Sequence, residues 1–80
     1  MKSLRTPEHQ KLISLLIAAR EKRGLTQQQL ADRLERPQSY VAKYEGGERR
    51  IDVVEFIQIA RALEFDPGRA VREVETKYGD

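Results

Sequence analysis

The sequence of 80 residues predicts an all-α fold of five helices in a single domain. Apolar residues recur three and four positions apart along most of the chain, and capping residues precede most of these periodic segments. Glycine or proline follows several of the segments and marks where helices end. The chain has no cysteine and one histidine, so neither disulfides nor a zinc site can hold it together. Packing of one modest core must therefore stabilise the fold, and we expect no metal or cofactor.

The first helix is predicted to begin near Pro7 and to end at about Arg23. Thr6 offers a capping hydroxyl, and the proline suits the first helical position. Glu8 lies near the positive end of the helix dipole. Gly24 follows the helix, as expected of the left-handed residue that ends many helices.

Two short helices joined by a tight turn are predicted next. The second helix begins after Thr26, because Gln29 lies three residues later and completes a capping box. Pro37 ends it, since proline lacks an amide donor and disfavours a helical residue before it. A third helix then continues to Glu45. Its apolar face contains Val41 and Tyr44. Its polar face contains Gln38, Ser39, Tyr40 and Lys43.

The last third of the chain predicts two more helices. Asp52 should cap the fourth helix, because Glu55 completes another capping box. The fifth should start at Asp66-Pro67, again a cap followed by a first-turn proline. The predicted core positions recur at helical spacing and are Val53, Phe56, Ile59, Ala60 and Leu63 on the fourth helix, and Ala70, Val71, Val74 and Tyr78 on the fifth.

The stretch from Leu25 to Glu45 resembles the helix-turn-helix of the phage-repressor and Cro type, the XRE family of bacterial regulators. The resemblance rests on residue types in a fixed order with fixed gaps: Leu25-Thr26-Gln27, Leu30-Ala31, Val41, Glu45 and Gly47. It extends over roughly Leu12 to Leu63. It implies a lambda-repressor-like DNA-binding domain with the helix-turn-helix at helices two and three, and a transcriptional regulator as its function.

The turn between those helices departs from the family pattern at two positions. Most members have glycine where this chain has Glu35, and an apolar residue where it has Arg36. A left-handed conformation at Glu35 would cost on the order of 1 kcal/mol. We expect either that strain or a turn whose shape Pro37 alters. Neither departure removes a residue that could contact bases.

The resemblance implies that the helix from about Pro37 to Glu45 lies in the major groove of DNA. Gln38 can bond an adenine through two hydrogen bonds, and Lys43 can donate to guanine. Ser39 can reach either kind of base edge, and Tyr40 could contact a phosphate or a thymine methyl group. Each good base contact would contribute ~1 to 3 kcal/mol of discrimination. The alternative for these side chains is an ordinary solvated helix face.

Other polar residues are expected to contact the DNA backbone or to hold the helices in place. The expected phosphate-binding residues lie at the start of helix two, in the turn and beyond helix three: Gln27, Arg36, Arg49 and Arg50. The family resemblance also implies an ion pair between Arg20 and Glu45 that ties helix one to helix three. A solvated surface arginine is the alternative for Arg20, and a solvated loop is the alternative for the two arginines beyond helix three.

A single helix-turn-helix offers few base contacts, so we expect a homodimer on a near-palindromic operator with half-sites ~34 Å apart. Surplus apolar residues could form its interface or simply complete a monomeric core: Leu15, Ile17, Val54, Ile57, Val71 and Val74. Residues 1–24 carry six basic and two acidic side chains, whereas residues 51–80 carry four and seven. The acidic last third should therefore face away from DNA.

Two other classes of function are alternatives to a DNA-binding regulator. A protein-interaction module, such as an antitoxin that masks a partner toxin, is the alternative to a regulator, and antitoxins of this fold usually bind DNA as well. An enzyme is poorly supported, because the serines at 3, 14 and 39 have only His9 as a possible base. The first residues, MKSLRTPEHQ, lack the apolar region of a secretory signal, and residues 1–5 are expected to be flexible. No apolar run approaches the ~18 residues of a membrane span, which favours a cytoplasmic protein.

Overall fold

The computed structural model describes residues 6–78, and these residues form five helices. They are α1 Pro7–Lys22, α2 Gln27–Leu34, α3 Gln38–Glu45, α4 Val53–Leu63 and α5 Pro67–Tyr78. The predicted all-α fold class is confirmed. The flexibility expected of residues 1–5 lies outside the described residues. Within residues 6–78, no helix combines the length and the apolar character that crossing a membrane requires.

Local hydrogen bonds at the helix starts match the predicted caps. The Thr6 hydroxyl accepts a hydrogen bond from the backbone amide of the third helical residue of α1 at 3.1 Å. The capping box of α2 is complete, with Thr26 and Gln29 bonded to each other's amides at 3.0 and 2.9 Å. Asp52 and Glu55 form the same motif at the start of α4, at 2.7 and 2.9 Å. These short-range bonds satisfy amides that have no partner inside the helix and fix where each helix begins.

The turn between α2 and α3 contains the strained residue that the sequence suggested. Glu35 has φ 57° and ψ 44°, a left-handed conformation that glycine adopts at lower cost. The next amide, that of Arg36, bonds the carbonyl of Ala31 at 3.0 Å and closes the end of α2. Pro37 has an extended backbone and caps α3 without a side-chain hydrogen bond. The chain thus keeps the left-handed turn and accepts its strain.

The core lies where α1, α2, α3 and α4 meet, and α5 packs against α1 and α4. Its fully buried large side chains come from all four of those helices: Leu16, Leu30, Val41, Tyr44, Ile59 and Leu63. The helices α2 and α3 pack closely against each other, so one face of α3 is held in the core. This packing fixes the direction in which the other face of α3 points.

Two predicted core positions differ in the structure, and a third lies outside the described side chains. Val53 is 72% exposed and is the first residue of α4. Val71 is 53% exposed, since α5 turns its neighbour Ala70 toward the core instead. Tyr78 ends α5, and its side chain lies outside the described part of the chain. Glu55, which was predicted only as a capping residue, is buried to 8% exposure.

Candidate nucleic-acid interface

The outward face of α3 carries three exposed polar side chains, those of Gln38, Ser39 and Lys43. Because each residue of an α-helix is rotated by about 100° from the one before it, these side chains span about 140° of the helix circumference. Ala42 projects between Gln38 and Ser39 and is half-buried, so its methyl group borders the same surface. Sequence reasoning did not single out Ala42, although its position one turn after Gln38 was a signal. Gln38, Ser39 and Lys43, with the small apolar side chain of Ala42, are hereafter the polar strip.

A chain of hydrogen bonds connects this strip to a buried ion pair. The Gln38 side chain donates from Nε2 to Oε1 of Gln27 at 2.8 Å, and Gln27 donates from its own Nε2 to Oε1 of Glu45 at 3.0 Å. Arg20 donates to both oxygens of Glu45, at 2.8 and 3.1 Å, and to the Leu25 carbonyl at 2.8 Å. The chain ties α1, α2 and both ends of α3 together.

The ion pair at the inner end of that chain is well shielded from water. The Arg20 and Glu45 side chains are 13% and 5% exposed. The hydrogen bonds to Glu45 raise the pKa of Arg20 above its usual value, despite the opposing effect of burial. A pair of this kind fixes the orientation of helices more than it adds stability. Here it fixes the orientation of α3 relative to α1.

Tyr40 corrects one prediction, because its side chain is buried and does not lie on the polar face. It is 8% exposed, and its ring packs edge-on against that of Tyr44, with 5.5 Å between centroids. The two residues are four apart on α3 and therefore share the face that points into the protein. Burial raises the pKa of the Tyr40 phenol, since it disfavours the charged form. Its place in the core removes it from the polar strip.

The outer side of the Tyr40 ring is covered by two arginines. The guanidinium carbons of Arg36 and Arg49 lie 4.4 and 4.9 Å from the ring centroid. Arg49 donates to both oxygens of Glu55 at 3.1 and 2.9 Å, and Arg36 lies 3.6 Å from one of those oxygens. Hydrogen bonding from Arg49 lowers the pKa of Glu55 below its usual value. The role of Glu55 was missed from the sequence, because its arginine partners lie before and after α3 and reach it only in the folded protein.

Arg50 points to a different part of the surface. With Val71 and Val74 it lines a groove between α1 and α5. His9 lies in the wall of this groove, is 9% exposed, and leaves its Nε2 atom without a hydrogen-bond partner. Burial, assisted by the charge of Arg50, lowers the pKa of His9. No group of three side chains suited to hold a metal ion occurs among residues 6–78.

A polar face on the second of two tightly packed short helices, with cations beside it, defines the class of helix-turn-helix DNA-binding domains. The family model described as helix-turn-helix matches residues 16–68. A solved structure of an XRE-family like protein from Pseudomonas syringae pv. tomato str. DC3000 is 42% identical, with a TM-score of 0.88. The match covers 96% of this chain and 94% of that one. No curated protein matches this chain.

The chain therefore belongs to the XRE family, whose helix-turn-helix is of the Cro/C1 type. Members of this family are DNA-binding regulators and not enzymes. The resemblance stated from residues Leu25 to Glu45 is confirmed at that level.

Proposed function

We propose that this protein is a sequence-specific transcriptional regulator that reads the major groove with the outward face of α3. The observation that carries the proposal is the hydrogen bond between Gln38 and Gln27, which orients an exposed amide at the start of α3. A side chain held in place before DNA arrives loses less conformational entropy on binding. Such an arrangement suits recognition of a particular base.

The hydrogen-bond donors and acceptors of the polar strip that have no partner within residues 6–78 determine which bases it would read. One Nε2 hydrogen of Gln38 is used on Gln27, so its Oε1 and its other hydrogen remain for the paired donor and acceptor of adenine. Lys43 offers an ammonium group to guanine one turn later. The Ala42 methyl group can pack against a thymine methyl, and Ser39 can serve as donor or acceptor. The polar strip is therefore suited to a DNA site that contains different bases rather than one repeated base.

Phosphate contacts would surround the strip. The second Nε2 hydrogen of Gln27 stays free for a phosphate next to the start of α2. The arginines at 36 and 49 are about two-fifths exposed beside α3 and supply positive charge there. Arg50 is exposed but lies along the α1–α5 groove, so it would reach only a more distant phosphate.

The regulator is also proposed to bind as a homodimer on two half-sites about one helical turn, ~34 Å, apart. Val53, Val54 and Val71 are 72, 63 and 53% exposed, and these apolar side chains are available for contact between copies. Sedimentation with a duplex that carries two half-sites should give two chains per duplex. One chain per duplex at saturation would contradict the dimer and leave base recognition intact.

Selection of bound sequences from a random DNA pool tests base recognition directly. The wild type should enrich one motif, and Gln38→Ala should lose the preference at one position by roughly 1 to 3 kcal/mol while it keeps the others. Gln58→Ala removes an exposed glutamine from α4 and serves as the matched control. An unchanged motif in Gln38→Ala would refute the assignment of Gln38, and the absence of any enriched motif in the wild type would refute the proposed function.

A further inference from the structure

Arg36 and Arg49, hereafter the arginine pair, precede and follow α3 in sequence yet converge on the same two side chains. Their guanidinium carbons lie 4.4 and 4.9 Å from the centroid of the Tyr40 ring. Their Nη2 atoms lie 3.6 and 2.9 Å from the same oxygen, Oε2 of Glu55. Like charges held this close repel each other, and the electron-rich ring face and the carboxylate offset that repulsion. One carboxylate balances only one of the two cations, so a positive charge remains.

The arginine pair also keeps N–H donors that find no acceptor in the described chain. Arg49 uses Nη1 and Nη2 on Glu55, and Nη1 on the Arg50 carbonyl at 2.9 Å. Its Nε hydrogen and one Nη2 hydrogen remain along one edge. The Arg36 side chain makes no hydrogen bond within residues 6–78, and its contact with Glu55 is an ion pair at 3.6 Å. Both side chains are 39% exposed, so an anion in solution can reach these donors.

We propose that the arginine pair binds one DNA backbone phosphate jointly, with Tyr40 and Glu55 as positioning residues that hold the two guanidinium groups. This inference rests on the proposed DNA-binding function and gives the interface a built phosphate site. A planar guanidinium edge matches two oxygens of a phosphate, and two such groups can share its charge. The ring and the carboxylate restrict the arginine side chains beforehand, so less conformational entropy is lost on binding.

A shared site can be distinguished from two separate contacts by the salt dependence of DNA affinity. Each phosphate neutralised contributes about 0.9 to the slope of log affinity against log salt. Arg36→Ala, Arg49→Ala and the double variant should each lower the slope by about one. The double variant should bind no more than about twofold weaker than the weaker single variant. A slope that falls by about two, with losses that multiply, would overturn the shared site.

The positioning role is tested on Tyr40 and Glu55. Tyr40→Leu keeps an apolar side chain but removes the ring, and should weaken binding to all duplexes by roughly fivefold. Tyr40→Phe restores the ring and should recover most of that loss, whereas equal loss in both variants would overturn the role of the ring. Glu55→Gln adds one net positive charge, yet should weaken binding because the guanidinium groups lose their holder. Tighter binding by Glu55→Gln would overturn its positioning role.

Fluorescence anisotropy of a labelled duplex, at salt concentrations from about 50 to 200 mM, supplies all of these values. Arg69→Ala removes the same charge from an exposed site on α5 and should leave the slope unchanged. Circular dichroism and the Tm confirm that each variant is folded, and the arginine variants decide the question should Tyr40→Leu unfold. A wild type that binds no duplex refutes the proposed function and the shared site together. A wild type that binds, with independent arginines, refutes the shared site alone.

Discussion

Two arginine–glutamate clusters flank α3, and they differ in how exposed their arginines are to solvent. Arg20 is 13% exposed and donates two hydrogen bonds to Glu45 and one to a backbone carbonyl. The cluster of Arg36, Arg49 and Glu55 has arginines that are 39% exposed and that keep several donors free. Both clusters contain a carboxylate with little exposure, 5% for Glu45 and 11% for Glu55.

The difference separates a structural ion pair from one that can bind something else. A guanidinium that is 13% exposed is largely out of reach of an anion in solution, so its effect is on helix orientation. A partly exposed guanidinium with a fixed position and free donors can accept a further anion at low entropic cost. Arginine variants in the first cluster should therefore change mainly stability, whereas arginine variants in the second should change mainly DNA binding.

The largest expected effect is the loss of stability in Arg20→Ala. The variant leaves Glu45 buried without its charged partner, and it should lower the free energy of unfolding by about 3 kcal/mol. Arg36→Ala should change the same quantity by less than about 1 kcal/mol, because its ion pair is longer and exposed. Urea denaturation followed by circular dichroism measures both. Equal losses in the two variants would remove the distinction between the clusters.

A matched control asks whether the Arg20 effect comes from an unpaired charge. The double variant Arg20→Met, Glu45→Met replaces both charges with apolar side chains and should recover most of the lost stability. Failure to recover would mean that the hydrogen bonds of Gln27 and Leu25 to this pair contribute more than the charges do.

The next effect is the pH dependence that Glu55 adds to the second cluster. Its pKa is lowered in the folded protein, so the stabilisation is present above the usual value of 4.5 and is lost as the pH falls through the folded pKa. Wild type should therefore be more stable than Glu55→Gln at pH 7, and the difference should shrink in acid. Thermal unfolding at several pH values measures it. A difference that stays constant down to pH ~3 would contradict the ion pairing of Glu55.

The features predicted correctly from the sequence are those whose partners are close along the chain. The capping boxes at Thr26 and Asp52 join residues three apart, and the left-handed Gly24 lies two residues after the end of α1. The polar side chains of Gln38 and Lys43 were placed on one surface by helical periodicity alone. Short-range hydrogen bonds and side-chain spacing are determined by the local sequence, so they can be predicted without knowing how the helices pack.

The features missed depend on packing between helices. Tyr40 was assigned to the polar face because its hydroxyl and its neighbours are polar, but its spacing from Tyr44 put its ring in the core. Glu55 is acidic and was expected to act only as a cap, yet two arginines from the far sides of α3 bury it. Residue type misleads where a charged or amphipathic side chain finds its partner on another helix.

A smaller effect is expected from the turn that leads into the second cluster. Glu35→Gly relieves a left-handed conformation but gives the unfolded chain more freedom, so the net gain in stability should be about 0.5 kcal/mol. DNA affinity should stay within about twofold, since the Glu35 side chain makes no hydrogen bond or ion pair with either cluster in the described chain. Glu64→Gly at the end of α4, with the same φ of 57°, is the matched control and should gain a similar amount. A loss of stability in both variants would show that the left-handed glutamates carry no strain.

The smallest effect concerns His9, which belongs to neither cluster but lies beside Arg50. Its pKa is lowered in the folded protein, so below the usual value of 6.5 the unfolded chain binds the proton more readily. Stability should therefore decrease as the pH falls through 6.5, by less than about 1 kcal/mol, until the folded histidine also becomes protonated. His9→Gln removes the titrating group, so its Tm should change less than that of wild type between pH 7 and about 5.5. Glu8, Glu75 and Arg50 share the groove with His9, and Arg50→Gln should reduce the wild-type change because a repelling cation is lost.

Equal pH responses in wild type and His9→Gln would show that His9 is not the group responsible, and would shift attention to the carboxylates of the groove.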